Sequence, residues 1–349
     1  MSQARVVSSV SSNGALLEIA RLQDWWNCKF SPVLATFYAS AYLIGIPVWP
    51  LLPKLLVLLL SLTVGATYVS IINDWADQSD DAAGGKYNRV ANKPAWATAL
   101  AVGLCLTFGL ASGIYFWQTN HLSGWLYLGS WVAFSAYSFP PLRLKKRGLA
   151  GVLADASGSH LFPQLLTVSL VAAWAGQQLP AFWYGALGTW ALTCGLRNIL
   201  LHQLSDAEAD AQADVDTWVL RRGPQRAQWF GQAVLFPIEL AAFCSLLAMS
   251  QQLWSLVLLL VYAALEGLRW RLWGSPPRIL QPQTRILLGE YYEVFYPLAF
   301  LIALSSRHHT DGIVLLVHLV LFGTVFWQPL VIVGRAIPLA IHKILGKLR

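Results

Sequence analysis

The sequence predicts an all-α polytopic membrane protein, and three features carry that prediction. Apolar residues make up 56% of the 349 and charged residues 12%, against roughly 25% charged in a typical soluble protein. A soluble fold with so few charges does not cover its surface. With a mean hydropathy of +0.52, secreted, fibrous and disordered chains are excluded. Apolar runs of about 20 residues, the length that spans a bilayer, recur ten times. The cations, finally, sort by loop as the positive-inside rule requires.

Taken in order, the predicted spans lie near 30–49, 53–73, 95–117, 122–141, 151–174, 180–203, 227–249, 252–272, 286–306 and 312–334. Gln328, Pro329 and Gly334 interrupt the far end of the tenth. Beyond it, residues 335–349 set Arg335, His342, Lys343, Lys347 and Arg349 among aliphatics, the pattern of a short interfacial helix. Residues 1–27 show no apolar core of signal-peptide type and read as a cytoplasmic or interfacial segment, so the first span is expected to remain as an anchor. The whole of 1–349 reads as one membrane domain.

With the N-terminus cytoplasmic, both termini and the loops after even-numbered spans should hold the cations. They hold 22 of the 24 Lys and Arg, counting Arg197 in span 6; only Lys54 and Arg307 fall on the other side. The net charge of +7 therefore reports topology. No Lys/Arg stripe is interleaved with aromatics, so no nucleic acid is expected as a partner. Cys28, Cys105, Cys194 and Cys244 stand far apart, in no metal-ligand spacing, and read as small hydrophobes.

The acidic residues are just as uneven. Of 17, four fall in 73–81 and five in 206–216, after spans 2 and 6. If helix continues through the first cluster, Asn73, Asp77 and Asp81 recur every four residues on one face. Like charges at that spacing repel, and a divalent cation compensates them. Carboxylate oxygens suit Mg²⁺, which keeps waters and shares substrate phosphates. The plainer alternative is a solvated acidic loop capping the next helix. In the second cluster, Asn198, His202, Asp206 and Asp210 share a face. Beside the two lie Lys86, Arg89, Lys93, Arg143, Lys145 and Arg197, placed to hold a diphosphate, although each also satisfies topology. Carboxylates flanked by cations at the mouth of an apolar bundle describe a site for a diphosphate head with an apolar tail. The two clusters, separated by four spans, hint at similar halves.

Asn73-Asp74-x-x-Asp77-x-x-x-Asp81 resembles the first aspartate-rich motif of the UbiA superfamily of intramembrane prenyltransferases. Asp206-x-Glu208-x-Asp210, with Thr217 and Gly223 following, resembles the second. Tyr137-Ser-Phe-Pro-Pro-Leu-Arg143-Leu-Lys145 is similar to the loop after helix 4 in that superfamily. The resemblance covers roughly residues 20–300. It implies a bundle of nine to ten membrane helices around a central cavity with a cytoplasmic cap. It also implies Mg²⁺-dependent ionisation of a prenyl diphosphate, with Asp77, Asp206 and Asp210 at the heart of catalysis. Asn73, Asp77 and Asp81 would hold one Mg²⁺, and Asp206 and Asp210 another. Lys86, Arg143 and Lys145, with Arg89 and Arg197 nearby, would grip the phosphates. Asp214 departs from the pattern, standing where the superfamily commonly has glycine, and Tyr137 is farther from its lysine than usual.

The chemistry is coherent without the resemblance. Breaking an allylic carbon–oxygen bond leaves a carbocation and pyrophosphate; metal and Lys/Arg stabilise the departing charge. Aromatic faces steady the cation by roughly 0.5–2 kcal/mol each. The chain has 17 Trp, 12 Tyr and 15 Phe, many of them accounted for by interfacial belts. In span 9, Tyr292 and Tyr296 are expected on one face. Glu290 is expected to point into the cavity, to pair with a cation such as Arg285, or to sit at the headgroups. Arg21 and Asn27 are candidates for holding an acceptor. Transfer of the prenyl group to an aromatic or other lipophilic acceptor is the leading reading; a class I terpene cyclase without acceptor is the alternative. A transporter would place its ion-binding acids at mid-membrane beside broken helices, whereas these stand at helix ends.

Overall fold

The computed structural model describes residues 25–282 and 286–323, with positions 327, 331, 333, 334 and 338. Arg21, Arg285, the expected interfacial segment 335–349 apart from position 338, and most of the tenth span beyond 323 lie outside them, as does the side chain of Asn27. Among the described residues there is no β-strand, only an isolated bridge between Arg278 and Ile286.

Helices follow the predicted spans closely. A π-helical turn, Trp26–Phe30, leads into α1 (Ser31–Ile44). Next come α2 (Leu52–Ala76), the short α3 (Gln78–Ala83), α4 (Ala95–Thr119) and α5 (His121–Ser138). α6 (Leu149–Ala156) continues through a π turn, Ser157–Leu161, into α7 (Phe162–Ala175). α8 (Ala181–Ser205) is followed by two short helices, α9 (Ala207–Gln212) and α10 (Trp218–Arg222). α11 (Pro224–Phe230) passes through the π turn Gly231–Leu235 into α12 (Phe236–Ser250), and α13 (Leu253–Trp273) returns. The π turn Tyr291–Phe295 opens α14 (Tyr296–Arg307), and α15 (Asp311–Leu321) begins the tenth span. Four of these rods, 49–76, 95–119, 224–250 and 253–273, are long and apolar enough by themselves to cross a membrane.

α1 is the axis of the bundle. It is buried from Ser31 to Ala41 and packs against α7 and α14. Its small residues, Ala35, Ala39, Ser40 and Ala41, let neighbours approach closely, as membrane interfaces require. α4, by contrast, buries only Cys105, Gly109 and Phe116 and turns Leu100, Leu104, Phe108 and Leu110 outward, as a lipid-facing helix does. A Cβ at Gly109 would lie 2.4 Å from the Trp131 ring, so α4 and α5 can meet there only at glycine. At the end opposite the acidic motifs, the buried Asp311 carboxylate accepts hydrogen bonds from the backbone N–H of Val48 and Trp49 at 2.8–3.1 Å, fixing the α1–α2 connection to α15.

The four π turns have one cause. Each is followed two residues later by a proline: Pro32, Pro163, Pro237 and Pro297. Proline lacks the N–H that would bond the carbonyl four residues back, and its ring crowds that carbonyl. The preceding turn widens into a π-bulge, a feature frequent at functional sites. At Pro297 the released carbonyl belongs to Glu293, and the Ser31 hydroxyl donates to it.

Candidate active site

The two acidic motifs fold into the same local structure. α2 ends at Ala76, Asp77 breaks the helical dihedrals (φ −103°, ψ 3°), and α3 follows. α8 ends at Ser205, Asp206 breaks in the same way (φ −98°, ψ 2°), and α9 follows. Backbone bonds nevertheless run on. Asp77 N–H bonds Asn73 O at 2.9 Å, Asp81 N–H bonds Asp77 O at 2.8 Å, and Lys86 N–H bonds Asp81 O at 2.8 Å. Asp206 to His202, Asp210 to Asp206 and Val215 to Asp210 repeat the ladder, each at 2.9 Å. A left-handed residue closes each unit, Gly85 (φ 65°) and Asp214 (φ 53°). The hint of similar halves is thus a shared backbone. Asp214 stands at a left-handed position where glycine is the easy residue. Asp214→Gly is expected to fold normally, whereas Asp214→Val, β-branched in that region, should lose about 1–2 kcal/mol. Unfolding in detergent measures both.

α3 and α9 meet across the mouth of the bundle: a Cβ at Gly84 would lie 3.3 Å from Ala209 O and 3.7 Å from Ala213 Cβ. Lys86, following the first motif, reaches the second, with Nζ 3.0 Å from Asp206 Oδ2 and 3.1 Å from Asp210 Oδ1. The loop after α5 supplies the opposing cations. Lys145 Nζ lies 2.5 Å from Asp77 Oδ1; Arg143 Nη2 lies 3.2 Å from Asp77 and 2.9 Å from Asp80; Lys146 reaches Asp80 at 2.9 Å. The Asn73 amide oxygen accepts from Ser138, and Asn88 donates to Asp81 at 2.8 Å. Burial raises the Asp81 carboxyl above its ordinary range against the opposing Asn88 bond, with Asp77 and Asp74 adding like charge. Burial raises Asp210 too, with Lys86 opposing. Lys86 itself is raised, its two carboxylate partners outweighing burial.

These residues fit Mg²⁺. The donors are hard oxygens, and the half-buried Asp81 and Asp210 gain by added positive charge. Among the described residues no three acidic or histidine side chains converge on one point, which suits an ion that keeps waters and shares substrate phosphates.

Below the motifs opens a cavity of about 290 Å³. Asn73 and His202, each one turn before the breaking aspartate of its motif, line it together with Asn198. Its depth is aromatic and apolar: Leu62, Tyr68, Trp131, Phe134 and Phe162. Tyr137 lies in the electrostatic field of Asp77, Asp155 and Asp210, between the motifs.

Other expected site residues stand elsewhere. Arg197 is no phosphate ligand: it is 3% exposed and bonds Glu239 bidentately at 2.8 and 2.6 Å, with Nη1 on Ile279 O and Leu287 O at 3.0 and 3.2 Å. Its partner, Glu239, is buried within an apolar run. Arg89 turns to Asp74, 3.7 Å away. Tyr296 is buried against Phe243 and Phe300 in the packing core and lines neither of the two described cavities; a π turn, not α-helix, joins it to Tyr292. Tyr292 donates to Glu239 at 3.1 Å and lines a second cavity. Glu290 lines that cavity too, paired with Arg269, whose Nη2 is 2.9 Å away. Asp155, Lys29 and His160 were missed. Asp155 and Lys29 line the first cavity. Lys29 Nζ lies 2.6 Å from His160 Nε2, and Asn198 Nδ2 lies 3.3 Å from the same atom. For Asp155 and His160, polar side chains inside a predicted span were the signal, since such groups are costly in a bilayer and usually functional; Lys29, just before the first span, carried none.

A search among curated protein sequences returns no match. A solved UbiA homolog from Archaeoglobus fulgidus bound to GPP and Mg²⁺ shares the fold at 15% identity and a TM-score of 0.52, covering 85% of this chain and 99% of that one. Its form bound to DMAPP and Mg²⁺ aligns at 18% identity and 0.51, covering 87% and 99%. Residues 33–285 match the sequence profile of the UbiA prenyltransferase family, and the chain belongs to that family.

Proposed function

We infer that the protein ionises a prenyl diphosphate with the help of Mg²⁺ and transfers the prenyl group to a lipophilic acceptor, releasing pyrophosphate. One observation carries the reading: both acidic motifs end at the mouth of a single apolar cavity, through Asn73 and His202. The Archaeoglobus fulgidus structures with GPP, DMAPP and Mg²⁺ support the same substrate class.

Mg²⁺ held by Asn73, Asp77 and Asp81 and by Asp206 and Asp210 would supply charge stabilisation to the departing diphosphate. Lys145, Arg143 and Lys86 would exchange their carboxylate partners for phosphate oxygens and fix the head at the mouth. The prenyl tail would fill the cavity below. There Tyr68, Trp131 and Phe134 exclude water and offer aromatic faces to the allylic cation. The cation-rich loops support a cytoplasmic placement of this mouth and of the N-terminus.

Arg143→Ala and Lys145→Ala should each weaken prenyl diphosphate binding about tenfold, the worth of one charge-assisted bond. Titration with geranyl diphosphate in Mg²⁺ measures it, and unchanged affinity in both would return these cations to topology alone. The aromatic lining of the cavity also suits a cyclase, in which the chain's own double bond captures the cation. Purified protein with Mg²⁺ and prenyl diphosphates of several lengths, without acceptor, separates the two. Cyclised hydrocarbon or alcohol marks the cyclase, and inertness until an acceptor is added marks the transferase.

A further inference from the structure

The cavity below the motifs is closed at its far end. On α2 its lining runs from Asn73 at the mouth through Val69, Ala66 and Gly65 to Ser61. Ser61 is 2% exposed, and its hydroxyl meets that of Ser112 on α4 at 2.9 Å. On α5, Leu126 and Tyr127 are the lining residues farthest from the mouth. Tyr127 is 4% exposed and packs edge-on against the fully buried Phe116 of α4, with ring centroids 5.1 Å apart. Ser61, Leu126 and Tyr127, backed by α4, form a floor.

Sideways, the cavity meets the second one, of about 440 Å³, at Asn198. Lys29 lines the first and His160 the second, so the Lys29–His160–Asn198 contact already described stands between them. An apolar tail crossing there would break a buried polar contact and leave its members unpaired, which is costly. The tail is therefore confined to the first cavity, and volume decides how much of it fits. A dry cavity of ~150 Å³ holds one six-carbon ring. At that density, the 290 Å³ below the motifs holds roughly ten to twelve carbons. Two isoprene units fit and three do not.

We propose that the floor of Ser61, Leu126 and Tyr127 sets a ceiling of two isoprene units, so that the substrate is a geranyl-class diphosphate and farnesyl or longer chains are rejected. This rests on the prenyl diphosphate reading above and names the tail which that reading leaves open. The Tyr127 ring is the decisive bulk. Truncation to alanine removes a six-membered ring and frees ~150 Å³, room for one further five-carbon unit but not for two. Gly65 works in the opposite sense. It lines the cavity, and a Cβ built there would meet only the Trp131 ring, at 4.0 Å. Leucine at that position fits the helix and fills the cavity by four carbons. What remains holds roughly seven, which is one unit.

Isothermal titration of the full chain in nanodiscs with Mg²⁺, blanked against empty nanodiscs, tests it with prenyl thiolodiphosphates, whose bridging sulfur slows ionisation. The parent is expected to bind the geranyl analogue at least tenfold more tightly than the farnesyl or geranylgeranyl one. Tyr127→Ala should bind farnesyl at least as tightly as geranyl, with geranylgeranyl still at least tenfold weaker. Gly65→Leu should weaken geranyl at least tenfold and leave the dimethylallyl analogue unchanged. A smaller preference for geranyl over farnesyl in the parent would overturn the ceiling and leave the prenyl diphosphate reading standing. So would the parent's ranking of lengths in Gly65→Leu or in folded Tyr127→Ala; Gly65→Leu decides alone if Tyr127→Ala does not fold. Binding of no length at all would strike the prenyl diphosphate reading itself, and the ceiling with it.

Discussion

Arg197→Ala should lower the stability of the folded bundle by about 3–5 kcal/mol, the cost of leaving one partner of a buried ion pair uncompensated. The guanidinium joins α8 to the Glu239 carboxylate of α12 and to the carbonyls of Ile279 and Leu287 in the connection before α14. Tyr292 adds a third bond to the same carboxylate. Removing the arginine strands a charge that is 0% exposed. Arg197→Met combined with Glu239→Leu removes both charges and should recover most of the loss, since buried pairs often break even against apolar groups of similar volume. Denaturant unfolding in detergent decides it; a single-variant loss below about 1 kcal/mol would mean that solvent reaches the pair.

Asp77→Ala and Asp206→Ala should each reduce turnover at least about a hundredfold, the usual cost of removing one charge-stabilising group from an active site. Stability should change little, because both carboxylates stand at the rim of the bundle with cationic neighbours. The double variant should be little worse than either single one, since groups that act as a unit are not additive. Rates of pyrophosphate release at saturating Mg²⁺ test this. Additive losses would mean that the two motifs act independently rather than on one diphosphate, and would break the shared-mouth geometry.

The acidic motifs were legible because their spacing is local. Asn73, Asp77 and Asp81 are ordered by one continuous hydrogen-bond ladder, and a periodicity of four is enough to find it. The cation loop was legible for the same reason, its residues lying within a few positions of one another. Arg197 was misread because its partner is 42 positions away in an apolar stretch that gives no hint of a carboxylate's direction. Tyr296 was misread because an ideal helical period was carried across a turn that is not α-helical. The sign was present in the Phe236-Pro237 and Tyr296-Pro297 steps inside apolar runs. Lys29 and Asp155 converge only through tertiary packing, which no single-helix pattern encodes.

An α-helix advances about 100° per residue, so one extra residue in a turn shifts everything beyond it by roughly that angle. Two rods of this bundle, 149–175 and 224–250, carry such a slip between helical segments, each locked by its proline. Their two halves are therefore out of phase: the stripe that faces a neighbour at one leaflet is not the stripe that faces it at the other. Selection on the chemistry-bearing half can then change which side chains look inward without disturbing the anchoring half. Deleting a single residue from one π turn would restore the phase and swing a whole face of polar groups from the interior towards lipid. In this architecture a one-residue deletion is a larger event than most substitutions.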